Sequence, residues 1–257
     1  MPVRPPIPLR RFAIFDHVPK TGGTALNQAL LEILTSENVA VNRHVDIAAG
    51  NLEFAEHYPI VSGHFGGTWR RRLQRRGERV TFTVIRDPVE RAISHYNYWR
   101  HRIPNEAPEF WWPAVQAAKT LPFAVFIRVN DMGVKQSLFN THYTHLAGSS
   151  ISKRTYDPKY QTRHSRKIKR LAAEFDVIGV TERLPESLEC FLDAIGVRTP
   201  KNTRSLLDRV DKNVSPRFDP MEVTSGDRAF LIERNQLDLA LHAIAADRLD
   251  GALRARG

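Results

Sequence analysis

Phe12-Ala-Ile-Phe-Asp-His-Val-Pro-Lys-Thr-Gly-Gly-Thr24 is an apolar run that breaks into a short glycine-bearing loop and then enters the helical pattern of Ala25 to Leu34. The order is strand, loop, helix. A helix opening after a glycine turn directs its unpaired N–H groups and the positive end of its dipole into the loop, so an anion belongs there. Gly22 and Gly23 permit positive φ and a close backbone approach to a ligand, Thr24 offers a cap or a hydroxyl, and Lys20 adds a mobile charge. Taken alone, Gly22-Gly23 reads as an ordinary strand-to-helix turn beside a surface lysine; residues further along the chain reverse that reading.

Val80-Thr-Phe-Thr-Val-Ile-Arg-Asp-Pro-Val-Glu-Arg-Ala-Ile-Ser-His-Tyr96 repeats the architecture: a β-branched run, a break at Asp87-Pro88, and a helix with Val89, Ile93 and Tyr96 on its apolar side. Asp87 suits the N-cap and Pro88 the first turn. Arg86 then stands at the carboxyl end of a strand, where open α/β sheets bind ligands, and its guanidinium can grip a phosphate bidentately. Ser94 lies two helical turns on, roughly 10 Å along the axis, so the two share one ligand only if strand and helix fold back around it. Taken singly, Arg86 reads as an ion-pair partner and Ser94 as a surface hydroxyl. The phosphate loop of nucleoside triphosphatases ends in Gly-Lys-Ser/Thr, whereas Lys20 precedes its glycines, so this is a phosphate loop of another kind.

Together the two segments resemble the sulfotransferases that use 3'-phosphoadenosine-5'-phosphosulfate (PAPS), most closely the carbohydrate branch that includes heparan sulfate 2-O-sulfotransferase. In that family a Pro-Lys-Thr/Ser-Gly/Ala-Gly/Ser-Thr loop, here Pro19 to Thr24, holds the 5'-phosphosulfate, and an Arg-Asp-Pro-x-x-Arg-x-x-Ser-x-Tyr/Phe segment, here Arg86 to Tyr96, holds the 3'-phosphate. The resemblance implies Lys20, Thr21, Gly22, Gly23 and Thr24 at the 5' end of the cofactor, Arg86 and Ser94 at its 3'-phosphate, and a structural Arg91. Gly63-His64-Phe65 matches the Gly-His-Val of the 2-O enzymes, and Val177-Ile-Gly-Val-Thr-Glu182 matches a late strand. More loosely, Asn235 to His242 resembles the closing helix, and Lys212-Asn213-Val214-Ser215 falls where family members place a cofactor-covering loop, which makes Lys212, Asn213 and Ser215 candidate cofactor contacts.

His64 is the candidate general base, with Glu53, Glu56 and His44 next in line. His64 follows the apolar stretch Tyr58 to Ser62, and a histidine titrating near neutrality suits removal of a proton from an attacking hydroxyl. Where the 2-O enzymes carry a second histidine, this chain has Ser62. The implied chemistry is an in-line displacement at sulfur that leaves adenosine 3',5'-bisphosphate (PAP), with Lys20 and the loop amides stabilising charge on the leaving phosphate. His17 reads either as a donor to the sulfuryl oxygens or as a residue packed under the loop. Neither Cys-x-x-Cys nor His-Glu-x-x-His occurs, so no metal site is expected.

The strand candidates 12–17, 59–63, 80–85 and 176–181 alternate with helical patterns, which predicts an α/β fold, a single P-loop-like domain with a central parallel sheet flanked by helices on both faces. The expected organisation is one sulfotransferase domain over 1–257, with a flexible arm to about residue 11 and an acceptor-side helical insertion over about 100–160. That insertion carries Trp111-Trp112, which read either as a platform for a flat acceptor or as pins for a proline-rich loop, and a helical run from Val134 to Leu146. The single cysteine, Cys190, excludes an internal disulfide and suits a buried helix position. No stretch approaches the ~20 apolar residues of a membrane span, and the expected location is cytoplasmic.

The formal charge of +10 is concentrated in Arg70, Arg71, Arg72, Arg75, Arg76 and Arg79 and in the run from Lys153 to Arg170. An anionic cofactor accounts for part of it; the rest suits an anionic acceptor such as a uronate polysaccharide, or a solvated helix face. The competing classes are a basic nucleic-acid-binding module, which leaves the loop and the Arg86 to Ser94 spacing unexplained, and an ATP-dependent small-molecule kinase, which the reversed lysine position disfavours.

Overall fold

The computed structural model describes residues 12–43, 46, 50–53, 57–75, 79–101, 111–148, 164–214 and 221–256. Ser215, His44, Glu56, the arm over 1–11 and the basic run up to residue 163 lie outside them, as do the side chains of Lys212 and Asn213.

In chain order the first half comprises β1 (Phe12–Asp16), α1 (Gly23–Leu34), β2 (Val39–Ala40), β3 (Ile60–Gly63), α2 (Gly66–Gln74), β4 (Arg79–Ile85) and α3 (Pro88–His101). Then follow α4 (Trp112–Thr120), α5 (Phe123–Phe126), α6 (Met132–Leu138), α7 (Thr141–Ala147), α8 (Ser165–Ala173), β5 (Val177–Val180), α9 (Leu184–Ala194), α10 (Thr203–Val214), α11 (Ser225–Arg234) and α12 (Gln236–Arg254). The strands form one parallel sheet in the order β2-β3-β1-β4-β5. All four strands anticipated from the apolar runs form. The two-residue β2 is an addition, too short to leave a periodic signal.

Alternation along the strands distributes the core to both faces of the sheet. Ala13, Phe15, Val80, Phe82 and Val84 pack with Leu26 and Leu30 of α1 and Leu188 and Phe191 of α9, and the Phe82 ring stacks between Phe15 at 4.8 Å and Phe191 at 4.4 Å. On the opposite face Ile14 and Val61 meet Leu73 of α2, while Ile85, Ile178 and Val180 meet Leu171 of α8 and Leu237, Leu241 and Ala245 of α12. A further apolar cluster joins α3, α4, α5 and α6 to Leu231 of α11.

The run expected as one helix over Val134 to Leu146 is two, α6 and α7. Asn140 adopts φ 49°, its N–H donates to Asn235 Oδ1 at 2.7 Å, and its own Oδ1 accepts from the N–H groups of Leu237 and Asp238 at the start of α12. A distant helix terminus therefore breaks this one, because capping those amides needs the asparagine outside helical geometry.

Strand order positions the site. The chain leaves β1 toward β2 and β3 on one side and returns to β4 on the other, so the sequence of strands reverses at β1, where sheets of this kind hold ligands beyond their carboxyl ends. Asp16 pairs with Gly63 and Ile85 with Val180 at that edge. The next residues, His17, His64, Arg86 and Thr181, emerge together there.

Candidate active site

The loop after β1 is held by its own side chains. Thr21 is fully buried and donates its hydroxyl to the Val18 carbonyl at 2.9 Å, and Thr181 Oγ1, at the end of β5, donates to the Thr21 carbonyl at 2.9 Å. Gly22 sits at φ 79° as the residue before α1, and Lys20 shares the left-handed region at φ 72°. A non-glycine residue there costs of order 1–3 kcal/mol, strain that collects at functional loops. Thr24 lies exposed in the first turn of α1 and makes no capping bond, so the donors at this terminus are backbone N–H groups.

His17 is 4% exposed, and its ring occupies the space a side chain at position 23 would need: a β-carbon there would lie 2.2 Å from His17 Nδ1. Gly23→Ala is therefore expected to displace the ring and to lower stability by about 1–3 kcal/mol, the usual cost of overpacking. Chemical denaturation measures this directly, and an unchanged midpoint counts against the close packing of His17 beneath the loop.

His64 is partly buried directly after β3. Its Nδ1 lies 2.6 Å from the His17 carbonyl oxygen. A carbonyl only accepts, so Nδ1 carries the proton and Nε2 holds the lone pair of the neutral ring. The His17 and His64 rings are 4.0 Å apart. Beneath them Asp16, fully buried, accepts the N–H groups of Phe65 and Gly66 at 3.1 Å, lies 3.1 Å from His145 Nε2, and pairs with Arg70 Nε at 3.4 Å. Arg70 also binds Glu174 at 2.7 Å. This corrects the expectation of a solvated helix face for that arginine: Arg70 is fully buried, while, among the described arginines of the run, Arg72 and Arg75 are exposed.

Asp87 caps α3 as anticipated, accepting the N–H groups of Val89 and Glu90 at 2.9 Å. Arg86 leaves the end of β4 and reaches the Lys20 carbonyl with Nη1 at 3.4 Å. The loop reaches the same helix through a side chain: Lys20 Nζ lies 4.3 Å from the centre of the Tyr98 ring. Ser94 is half-buried one helical turn before Tyr98 on α3. Arg91 is fully buried and donates to the Ser137 carbonyl at 2.7 Å and Thr141 Oγ1 at 2.9 Å; burial pushes its guanidinium down to about 10.

His95, on the same helix, is 9% exposed and stacks edge-on against Trp99 at 4.4 Å. Burial, reinforced by the charges of Arg91 and Lys20, holds its imidazolium well below the ordinary 6.5. Its folded-state affinity for a proton is depressed, so its contribution to stability is complete above pH 6.5 and declines as the pH falls, by at most about 1.4 kcal/mol per unit. Denaturation of the wild type and of His95→Leu between pH 7.5 and 5 is expected to show a shallower acid loss in the variant. Equal slopes would place the acid sensitivity elsewhere.

A loop of backbone donors, a lysine and an arginine stand at the sheet's carboxyl edge with a histidine beside them, groups that can chemically hold a multiply charged anion and accept a proton. The sequence profile of the Sulfotransferase family matches residues 10–241. The chain belongs to the sulfotransferase family. This decides against a nucleic-acid-binding module and an ATP-dependent kinase as its class. The crystal structure of a sulfotransferase from Alicyclobacillus acidocaldarius shares the fold at 13% identity, with a TM-score of 0.51 over 92% of this chain and 96% of the other. Mouse sulfotransferase SULT7A1, solved in complex with PAP, is 16% identical over 88% of this chain and 75% of its own, with a TM-score of 0.44. No curated protein matches in sequence.

Ser62, in place of the second histidine, is fully buried and donates to Asn27 Oδ1 of α1 at 2.6 Å, bracing sheet to helix. Lys212 and Asn213 belong to the end of α10, which packs on α1. Glu53 is exposed on the surface. Trp111 and Trp112 pack against the α3 to α6 cluster. Among the described residues, no helix is long and apolar enough to cross a membrane. Asp16, Tyr98, His142, Thr181, Glu182 and Asp238 were not singled out from the sequence, because isolated polar residues carry no periodic signal.

Proposed function

We propose that this sulfotransferase moves the sulfuryl group of PAPS to a hydroxyl of a carbohydrate or similarly polar acceptor, with His64 as general base, and that the chain acts as one sulfotransferase domain of the 2-O-like carbohydrate branch. The observation that supports the assignment of the base is the 2.6 Å bond from His64 Nδ1 to the His17 carbonyl, which puts a proton on Nδ1 and so favours Nε2 as the atom that takes one up, at the sheet edge shared with the loop, Lys20 and Arg86. The donor set suits PAPS: backbone amides and the α1 dipole suit the 5'-phosphosulfate, and a forked guanidinium at Arg86, with the Ser94 hydroxyl on the helix that follows it, suits the 3'-phosphate. When bound, PAPS supplies the transferable sulfuryl group and a bisphosphate leaving group.

Within that scheme Lys20 and the N–H groups of residues 22 and 23 hold the 5' end and stabilise charge on the leaving phosphate, while His17 keeps both the loop and His64 in place. His64 Nε2 accepts the proton of the attacking hydroxyl. Exposed Arg166, Lys169 and Arg170 on α8, with Arg72 on α2 and Arg75 just after it, favour an acceptor that is itself anionic.

The test is calorimetric titration of PAP into the protein without added metal, alongside ATP and single-stranded DNA. Micromolar binding of PAP in preference to ATP is the expected result. Salt-sensitive DNA binding in the absence of PAP binding would overturn the donor assignment.

A further inference from the structure

Arg86 and Asp87 lie just past the last ladder pair of β4, Ile85 with Val180, so their N–H groups must find partners outside the sheet. Both find them in side chains. The Arg86 N–H donates to His142 Nε2 at 3.3 Å, and His142 Nδ1 lies 2.8 Å from Asp238 Oδ2. A carboxylate only accepts, so Nδ1 carries the proton and Nε2 is left as an acceptor for the arginine amide. The Asp87 N–H donates to Glu182 Oε1 at 2.9 Å, and Glu182 Oε2 lies 3.3 Å from His242 Nε2.

The two relays share a root. Asp238 and His242 are four residues apart on α12, one turn of one helix face. Asp238 and His142 are fully buried, and Asp238 also accepts the N–H groups of His142 and Tyr143 at 3.0 and 2.9 Å, which locks α7 to α12. Water would satisfy the two strand-end amides equally well. A side chain anchored at its far end satisfies them and also fixes where they are.

We propose that His142 with Asp238, and Glu182 with His242, are positioning residues, through which α12 sets the backbone at Arg86 and Asp87 and hence the direction in which the Arg86 guanidinium meets its ligand. This rests on the reading of Arg86 as a 3'-phosphate contact. Among the described residues, neither relay hydrogen-bonds to the loop that receives the 5' end, so the two ends of a bisphosphate respond differently to their loss.

The experiment uses the full chain and titrates PAP and adenosine 5'-monophosphate, which lacks the 3'-phosphate, into the wild type, Arg86→Ala, His142→Leu, His142→Gln and Glu182→Ala, with a melting curve for each. His142→Leu is expected to weaken PAP roughly tenfold, the equivalent of one well-placed hydrogen bond, and to leave the monophosphate unchanged. His142→Gln, whose amide oxygen restores an acceptor near the place of Nε2, recovers most of the loss. Glu182→Ala, at an exposed position, gives a smaller loss of the same selectivity and carries the test if His142→Leu does not fold. Unchanged PAP affinity in the His142 and Glu182 variants, with Arg86→Ala still weakened, overturns the relays and leaves the site standing. Parallel losses of both nucleotides that track melting temperature also overturn them, as a purely structural role. An unaffected Arg86→Ala overturns the reading of the site itself.

Discussion

His64→Ala is expected to lower kcat by about 10²- to 10⁴-fold, the range a positioned general base contributes, while PAP affinity stays nearly constant. The separation follows from geometry. The ring is anchored through Nδ1 to the His17 carbonyl and stands at the end of β3, whereas the backbone donors of the loop and the Arg86 guanidinium belong to β1, α1 and β4. Removing the imidazole leaves the His17 carbonyl to be solvated and takes away the proton acceptor without disturbing the charges that grip the donor's product. Single-turnover kinetics with calorimetry on the same preparation tests this. Retained turnover would move the base to another residue, with Glu53, Glu56 and His44 the next candidates; a parallel loss of PAP affinity would mean that His64 supports the loop rather than the chemistry.

Arg86→Ala and Lys20→Ala are each expected to weaken PAP by roughly 10- to 150-fold, from charge-assisted hydrogen bonds worth about 1.5–3 kcal/mol. The two losses have different characters. Arg86 is a fork held at its backbone and braced against the Lys20 carbonyl, so Arg86→Lys restores only part of the affinity, because an ammonium cannot reproduce paired N–H donors. Lys20 rests over the Tyr98 ring, a contact of about 0.5–1 kcal/mol at an exposed site, which an incoming phosphate outcompetes. Full affinity in both alanine variants would remove the site from this edge of the sheet.

Much of this arrangement was legible before any coordinates. The strand, loop and helix of residues 12 to 34 and the Asp87 cap on α3 depend on contacts within a few residues, so local pattern reports them. The division of the run from 134 to 146 was not legible, because Asn140 leaves the helix to serve amides nearly a hundred residues away. The burial of Arg70 was equally hidden. Its sequence neighbours are arginines, and its partners Asp16 and Glu174 lie 54 and 104 positions away.

By itself, then, the sequence determined a parallel α/β sheet with a phosphate-type loop after its first strand and an arginine at the end of another, since apolar period, glycine placement and helix caps act over a few residues of chain. The tautomer of His64, the seat of His17 under Gly23, the bracing of the loop by Thr181 and the two relays from α12 to Arg86 and Asp87 were decided only by tertiary structure. A hydrogen bond requires two groups within about 3 Å in a favourable direction, and for partners far apart in the chain that proximity is set by strand order and helix packing.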